Sequence, residues 1–335
     1  MFYAVRHFTR YRYSKPIWQS VMEVRMHPRS EAMQRCFTFQ LSVSPRARIF
    51  SHTDHNGNQI HHFDIPEPHK QLTVVTDALI EVDPPTPLPE SLAPDAWEHL
   101  DELIAQDDYW DMLMPSTFVR TSPELEAFAE ECGVAERTGD PLRLIVDLNT
   151  KLYNSFAYVK ESTKVNSPIE HALGLRKGVC QDFAHIMISL LRNLRIPTRY
   201  VSGYLFHDSG HTDRSIGGAT HAWVEALLPE IGWVGFDPTN NLIAGERHIR
   251  TAIGRDYADV PPTIGTLKGS AKSELLVRVR VTPSDAVLPP DQELASDQEW
   301  SRFLESSDHP EIQTAVQQQQ QQQEQEAQQQ QQQQQ

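Results

Sequence analysis

The segment 178–194 constrains the fold of this chain more than any other. It begins Gly-Val-Cys-Gln-Asp-Phe-Ala-His and continues as a run in which apolar residues recur at steps of three and four. That period predicts an amphipathic helix with one buried face, and it places Cys180 on that face in the first turn. The sequence therefore predicts a core helix that carries a thiol at its N-terminal end.

The thiol at this position has two interpretations. A lone cysteine on an apolar helix face is most often a buried core residue. At a helix N-terminus, however, a sulfur also meets unpaired N–H groups and the positive end of the helix dipole, and both favour a thiolate. Cys180 becomes a candidate nucleophile if the fold places a base beside it.

A predicted hairpin downstream of the helix supplies that base. The residues from His221 onward and the residues up to Asp237 alternate like strands, and the Pro-Glu-Ile-Gly between them has the composition of a turn. Antiparallel pairing across this turn brings the start of the first strand beside the end of the second. An imidazole that is oriented by a carboxylate can take a proton from a cysteine. We therefore interpret Cys180, His221 and Asp237 as candidate catalytic residues.

Four motifs make the sequence resemble the bacterial transglutaminase-like superfamily. They are Gly-Val-Cys-Gln-Asp-Phe-Ala-His at 178–185, Arg-Tyr-Val-Ser-Gly-Tyr at 199–204, His-Ala-Trp-Val-Glu at 221–225 and Gly-Phe-Asp-Pro-Thr-Asn at 235–240. Tyrosines and polar residues near the N-terminus resemble the N-terminal β-domain of that family. Gly254 to Pro262 resembles its C-terminal extension, so that the resemblance covers most of residues 1–283.

The resemblance implies an α+β fold. An N-terminal antiparallel β-domain precedes a papain-like, transglutaminase-like core, in which the helix with the cysteine packs on an antiparallel sheet with the histidine and the aspartate. Alternating segments and an Asn-Gly turn signal before residue 83 agree with the β-domain. We divide the chain into a β-sandwich-like domain at 1–83, a proline-rich linker at 84–94, the core at 95–245, a C-terminal extension with a strand at 246–283, and an acidic, glutamine-rich tail at 284–335 that we expect to be disordered.

The resemblance also implies a cysteine-dependent amide-bond hydrolase or acyltransferase with a thioester intermediate, of the protease, peptidase or amidase kind. The substrate is then a peptide or protein that offers a peptide bond or an amide side chain, and no cofactor is required. The backbone N–H of Cys180 and the side chain of Tyr158 are expected to bind the oxyanion. Trp223 and Gln181 are candidates to line the cleft, although core packing is the default interpretation of Trp223. The competing function is a catalytically silent scaffold that binds peptides or a protein partner.

Composition limits the classes of binding partner and the cellular compartment that we expect for the protein. The formal net charge of -15 argues against nucleic acid as a partner. Three scattered cysteines are too few for a disulfide framework, and the histidines at 52–69 lack accompanying acidic or thiolate ligands, so that we predict no metal site. The sequence shows neither a signal peptide nor a membrane span, which predicts a cytoplasmic protein without membrane contact. No pattern indicates an oligomeric state.

Overall fold

The structure, a computed structural model, describes residues 1–31, 33–106, 109–208, 210, 212–215 and 217–285. Apart from its first two positions, the tail at 284–335 that we predict to be disordered lies outside the described residues.

The described residues form fifteen strands and five α-helices. The strands are β1 (Phe2–Ile17), β2 (Gln19–Val24), β3 (Gln34–Ser44), β4 (Ile49–Thr53), β5 (Gln59–Ile65), β6 (His69–Val82), β7 (Ala157–Tyr158), β8 (Lys177–Gly178), β9 (Thr198–Leu205), β10 (His221–Leu228), β11 (Gly232–Asp237), β12 (Leu242–Ile243), β13 (His248–Gly254), β14 (Thr263–Lys268) and β15 (Ser273–Pro283). The helices are α1 (Ala96–Gln106), α2 (Pro123–Cys132), α3 (Pro141–Ser155), α4 (Ile169–Leu175) and α5 (Cys180–Asn193). None of the helices in these ranges is both long enough and apolar enough to cross a lipid bilayer.

The N-terminal half folds into two antiparallel four-stranded sheets. Their strand orders are β15-β1-β6-β3 and β14-β2-β5-β4. The alternating apolar side chains of both sheets meet in one cluster, and each large side chain that is fully buried there contributes about 1.5–3 kcal/mol. Its buried members are Tyr11, Tyr13, Ile17, Met22, Val24, Met26, Phe63, Ile65, Leu72, Val74, Ala271, Leu275 and Val277. The α+β arrangement predicted from the sequence begins with this sandwich, which confirms the antiparallel N-terminal domain.

Two strands of this sandwich come from the far end of the chain. β14 pairs with β2 from Thr263 to Lys268, and β15 pairs with β1 from Ser273 to Pro283. The predicted C-terminal extension therefore contributes an edge strand to each N-terminal sheet.

The second half forms a five-stranded antiparallel sheet, β12-β11-β10-β9-β13, with helices packed on it. α5 lies against β9 and β10 on one side and against α2, α3 and α4 on the other. The prediction of a single buried face is therefore wrong, because twelve consecutive residues of α5, from Gln181 to Arg192, are buried. Buried polar residues in the C-terminal half of α5 are hydrogen-bonded. Ser189 donates to the carbonyl of His185 at 2.8 Å, and Arg192 donates to the carbonyl of Thr198 at 2.8 Å.

The sandwich packs directly on the five-stranded sheet. Tyr204 of β9 and Ile249 of β13 join an apolar cluster with Tyr3, Val5 and Ile80 of the sandwich. A buried hydrogen bond of 3.0 Å between Nδ1 of His7 and the hydroxyl of Tyr204 crosses the same contact. The sheet that carries the candidate residues is thus supported by the sandwich as well as by α5.

Candidate active site

The turn before α5 fixes the position of Cys180, the first residue of the helix. The buried carboxylate of Asp182 accepts from the backbone N–H of Val179 at 2.8 Å and from the hydroxyl of Thr163 at 2.5 Å. Burial raises the pKa of Asp182 to about 6, against the opposing effect of these hydrogen bonds. A Cβ on Gly178 would lie 2.8 Å from Cβ of Asp182, so that no larger residue fits this close approach.

The hairpin of β10 and β11 brings His221 to Asp237. Val224 pairs with Phe236, and the same register continued to the end of the hairpin places His221 next to the end of β11. Nε2 of His221 lies 2.8 Å from Oδ2 of Asp237, and both side chains are buried. Strand alternation and turn length in the sequence predicted this proximity, and the structure has it.

The sulfur of Cys180 completes this arrangement. Burial alone would lower the pKa of His221, but the Asp237 carboxylate and the neighbouring Cys180 side chain outweigh it and raise the pKa to about 10. Because Nε2 faces the carboxylate, Nδ1 is the ring nitrogen left for the sulfur. Cys180 is partly exposed, whereas His221 and Asp237 are buried behind it. The three candidate side chains are therefore neighbours, and Cys180 is the most exposed of the three.

Asp237 accepts five hydrogen bonds. Its Oδ1 accepts from the backbone N–H of Thr239 at 3.0 Å and of Asn240 at 3.2 Å. Its Oδ2 is bonded by Nε2 of His221 at 2.8 Å, the side-chain amide of Asn240 at 2.8 Å and Nε2 of His248 at 3.2 Å. Burial would raise the pKa of Asp237, but the charge of His221 and the hydrogen bonds from both imidazoles hold it far below its usual range. The carboxylate is therefore ionised and fixed in orientation.

Asn240 and His248 are site residues that the sequence analysis missed. Asn240 ends the motif Gly-Phe-Asp-Pro-Thr-Asn, which was the available signal, and its Oδ1 also accepts from the backbone N–H of Arg214 at 2.8 Å and of Ser215 at 2.9 Å. It thereby connects the loop between β9 and β10 to the carboxylate. His248 begins β13, and the sequence offers no local signal that this strand returns to the site.

The same groups form the one cluster of possible metal ligands among the residues that the structure describes. The ligand atoms of His221, Asp237 and His248 lie within 4.8 Å of one another, and imidazole with carboxylate is a set that zinc accepts. In the structure these atoms are hydrogen-bonded to one another. The histidines at 52–69, which the sequence analysis considered, belong to no such cluster in the described ranges. The absence of a metal site remains a prediction.

The two residues expected to line the cleft differ in their surroundings. Trp223 is fully buried, with its ring 6.1 Å from that of His221 and 5.1 Å from that of His248, so that the cleft-lining prediction for it is wrong and packing holds instead. The buried amide of Gln181 donates to the carbonyl of Val165 at 2.8 Å and ties the loop before α4 to α5. That Gln181 lines the cleft stays a prediction.

Tyr158, the expected second oxyanion donor, lies near the sulfur. Burial raises the pKa of its hydroxyl, and the charges of Cys180 and Asp182 add to that increase. β7, which carries Tyr158, pairs in parallel with β8, which leads directly into α5. The Tyr158 hydroxyl is therefore a neutral hydrogen-bond donor, and it lies on the strand beside the turn that leads into Cys180.

Two family models match the chain. The bacterial transglutaminase-like N-terminal region matches residues 3–81, and the transglutaminase-like superfamily matches residues 128–238, a range that contains Cys180, His221 and Asp237. The Pseudomonas aeruginosa protein-glutamine gamma-glutamyltransferase is 31% identical over 132 residues, which are 38% of this chain and 19% of that protein.

Longer matches extend over both halves of the chain. An uncharacterized protein of Mycobacterium leprae is 31% identical over 279 residues, 83% of this chain and 97% of that protein. One of Mycobacterium tuberculosis H37Rv is 34% identical over 297 residues, 84% and 92% of the two chains. The solved structure of a "Putative Cysteine Protease" from Cytophaga hutchinsonii has the same fold, with a TM-score of 0.64 and 21% identity over 85% of this chain and 92% of that one. Sequence and fold thus agree along the chain, which belongs to the transglutaminase-like superfamily and carries its bacterial N-terminal region.

Proposed function

We propose that this protein is a cysteine-dependent amide-bond hydrolase that forms a thioester on Cys180, with acyl transfer to an amine as the related reaction of the same site. The observation that carries the proposal is the position of His221, which is hydrogen-bonded to the buried carboxylate of Asp237 and lies close enough to Cys180 for that side chain to raise the pKa of its ring. Membership of the transglutaminase-like superfamily supports this general kind of activity.

In the first half-reaction the sulfur of Cys180 attacks an amide carbonyl. The developing oxyanion is bound by the backbone N–H of Cys180, which as the first residue of α5 has no partner in a preceding helical turn, and by the hydroxyl of Tyr158. The charged imidazole of His221 then gives its proton to the nitrogen as the C–N bond breaks, and the amine leaves. Asp237 keeps the ring oriented throughout.

In the second half-reaction water resolves the thioester. His221, now neutral, takes a proton from a water molecule that attacks the thioester carbonyl, and the sulfur of Cys180 leaves. Water is the proposed acceptor because Cys180 is partly exposed, which lets solvent reach the thioester. We propose a peptide or protein as the substrate, attacked at a peptide bond or at an amide side chain.

Labelling with iodoacetamide tests whether the sulfur is activated. Cys36 and Cys132 serve as internal controls, because burial raises the pKa of each thiol to about 11. We expect alkylation of Cys180 near neutral pH well before the other two cysteines, and we expect that preference to be lost in His221→Ala. Equally slow labelling of all three cysteines contradicts the proposal and favours the peptide-binding scaffold.

Trapping of the acyl group identifies the substrate. The Asp237→Ala variant, in which we expect slow turnover, is incubated with cell extract, and the mass of the peptide that contains Cys180 is measured. We expect an adduct that hydroxylamine removes, as a thioester requires, and that is missing from Cys180→Ala. The absence of any adduct from any extract contradicts a covalent mechanism.

A further inference from the structure

A second imidazole bonds to the carboxylate oxygen that His221 uses. Nε2 of His248 lies 3.2 Å from Oδ2 of Asp237, and all three side chains are buried. The connection of His248 to the sulfur of Cys180 passes through Asp237 and then His221. The order of contact is therefore sulfur, imidazole, carboxylate, imidazole.

The protonation state of His248 follows from its other neighbours. The backbone N–H of Gly245 donates to Nδ1 at 3.2 Å, so that Nδ1 carries no proton. Burial lowers the pKa of His248, and the charges of His221 and Arg247 lower it further, against the opposing effect of Asp237. Among the residues that the structure describes, Asp237, His221 and Arg247 are the ionisable groups that act on the ring. A neutral imidazole without a proton on Nδ1 carries it on Nε2, so that His248 donates to Asp237.

The backbone holds this imidazole in place. The N–H of His248 donates to the carbonyl of Gly245 at 2.9 Å, which together with the bond from Gly245 to the ring closes a small cycle. The N–H of Ala244 donates to the carbonyl of Gly235 at 2.8 Å, in the strand that ends at Asp237. A Cβ on Gly235 would lie 2.5 Å from Cβ of Ala244, so that this contact requires glycine. The turn that carries His248 is thus attached to the strand that carries the carboxylate.

We propose that His248 is a positioning residue whose Nε2–H holds the Asp237 carboxylate in the orientation and at the basicity that let His221 release its proton to the leaving amine. A carboxylate oxygen that accepts one donor fewer is more basic and binds the His221 proton more strongly. Transfer of that proton to nitrogen as the C–N bond breaks then becomes slower. The inference rests on the proposed function, since it concerns the proton that the amide reaction consumes.

Two substrates with different leaving groups separate this role from a merely structural one. An amide such as a peptide p-nitroanilide needs a proton on its leaving nitrogen, whereas the p-nitrophenyl ester of the same acyl group releases a phenolate without one. We expect His248→Ala to lower kcat for the amide about 10- to 100-fold, the range of a hydrogen bond to a charged group, with KM unchanged. The loss for the ester is expected to be much smaller.

Two further variants control for folding. His248→Gln places a side-chain N–H near the position of Nε2 and is expected to restore most of the amide turnover, whereas the shorter His248→Asn does not reach Asp237 and is expected to resemble His248→Ala. The descending alkaline limb of the kcat profile is expected to move to higher pH in His248→Ala and His248→Asn and to stay in place in His248→Gln.

Each of three results would overturn the role of His248. The first is an equal loss of kcat for the amide and the ester, and the second is an alkaline limb that does not move in His248→Ala. The third is a His248→Gln variant that does not recover amide turnover although its melting temperature matches that of the wild type. Lack of turnover of both substrates by the wild-type protein is a different result, because it removes the proposed function itself. Turnover by the wild type that is lost in Cys180→Ala leaves the test of His248 in force.

Discussion

Histidines cluster in two regions of this molecule, and the pKa of a histidine is shifted in opposite directions in the two regions. In the site, His221 and His248 surround the Asp237 carboxylate. In the sandwich, His27 and His61 stack 5.9 Å apart beside the ring of Phe39. A second pair of rings in the sandwich, His52 and His62, lies next to Phe50.

The difference between the regions is the carboxylate. Burial lowers the pKa of His61 to about 4, and the neighbouring His27 adds to that decrease. Burial acts in the same direction on His221, yet its pKa is raised to about 10 because Asp237 and Cys180 outweigh the burial. Clustering of imidazoles therefore does not produce a reactive group, whereas one buried negative partner does.

The largest expected effect compares one histidine from each region. His221→Ala is expected to lower kcat for an amide by about 10⁴- to 10⁶-fold, because it removes the group that moves the proton. The matched variant His61→Ala is expected to leave kcat unchanged. Steady-state kinetics on both variants, with circular dichroism as a control for folding, measures the contrast. Similar losses in the two variants would break the distinction between the regions.

The next effect concerns the negative partner itself. Asp237→Asn keeps the shape of the side chain but removes its charge, and the loss in kcat is expected to be about 10⁴-fold. The pKa of His221 should fall below its present value of about 10, since its charge partner is gone. The alkaline limb of the pH profile, or NMR titration of the His221 ring, measures this shift. An unchanged limb would show that the carboxylate does not set the proton affinity.

A smaller effect is expected when an asparagine of the site, Asn240, is compared with an asparagine of the sandwich, Asn58. Asn240→Ala removes a 2.8 Å hydrogen bond to Oδ2 of Asp237, and kcat is expected to fall about 10- to 100-fold. Asn58, in the sandwich, bonds the backbone of Ile253 at 2.8 Å through both its N–H and its oxygen. Asn58→Ala is expected to cost about 1–3 kcal/mol of unfolding free energy without changing kcat. Urea unfolding and kinetics on both variants separate the effects, and the reverse pattern would contradict the assignment.

The smallest effect is on stability against pH. Because the pKa of His221 is raised from 6.5 to about 10, its contribution is fully present below pH 6.5 and is lost as the pH rises through 10. Because the pKa of His61 is lowered from 6.5 to about 4, its contribution is present above pH 6.5 and is lost as the pH falls through 4.

Melting temperatures from pH 4 to pH 10 should therefore fall on both sides of a maximum, with a gentler alkaline slope in His221→Gln and a gentler acid slope in His61→Gln. If neither variant changes either slope, these histidines are not the cause of the pH dependence of the melting temperature.

The sequence predicted the parts of the site that local patterns carry. The three- and four-residue period located α5 and Cys180, since the period follows directly from helix geometry. Strand alternation and one short turn placed His221 near Asp237, because antiparallel register follows from turn length. These relations involve residues that are close in sequence or joined by one hairpin.

Parts of the structure that depend on distant packing were not predicted. Burial of α5 on all sides requires partners for Arg192, and these are carbonyls on three other segments, including Met114 and Arg255. His248 reaches Asp237 only because β13 pairs with β9 on the far edge of the sheet, and nothing in the local pattern of β13 specifies that pairing. Trp223 stays a candidate for the cleft at the level of sequence, because an aromatic residue near His221 suits either the cleft or the core until the sheet is assembled.

The pairing of β14 and β15 with the N-terminal sheets affects how the chain can fold during its synthesis. During synthesis the strands from residue 2 to residue 82 leave the ribosome early, yet each of their sheets has an unfilled edge until residues 263–283 follow. Unfilled edges attract other strands. The Cys180 region is translated between the two parts. A nascent chain cut at residue 245 would lack β14 and β15 and would leave one edge of each sheet unpaired.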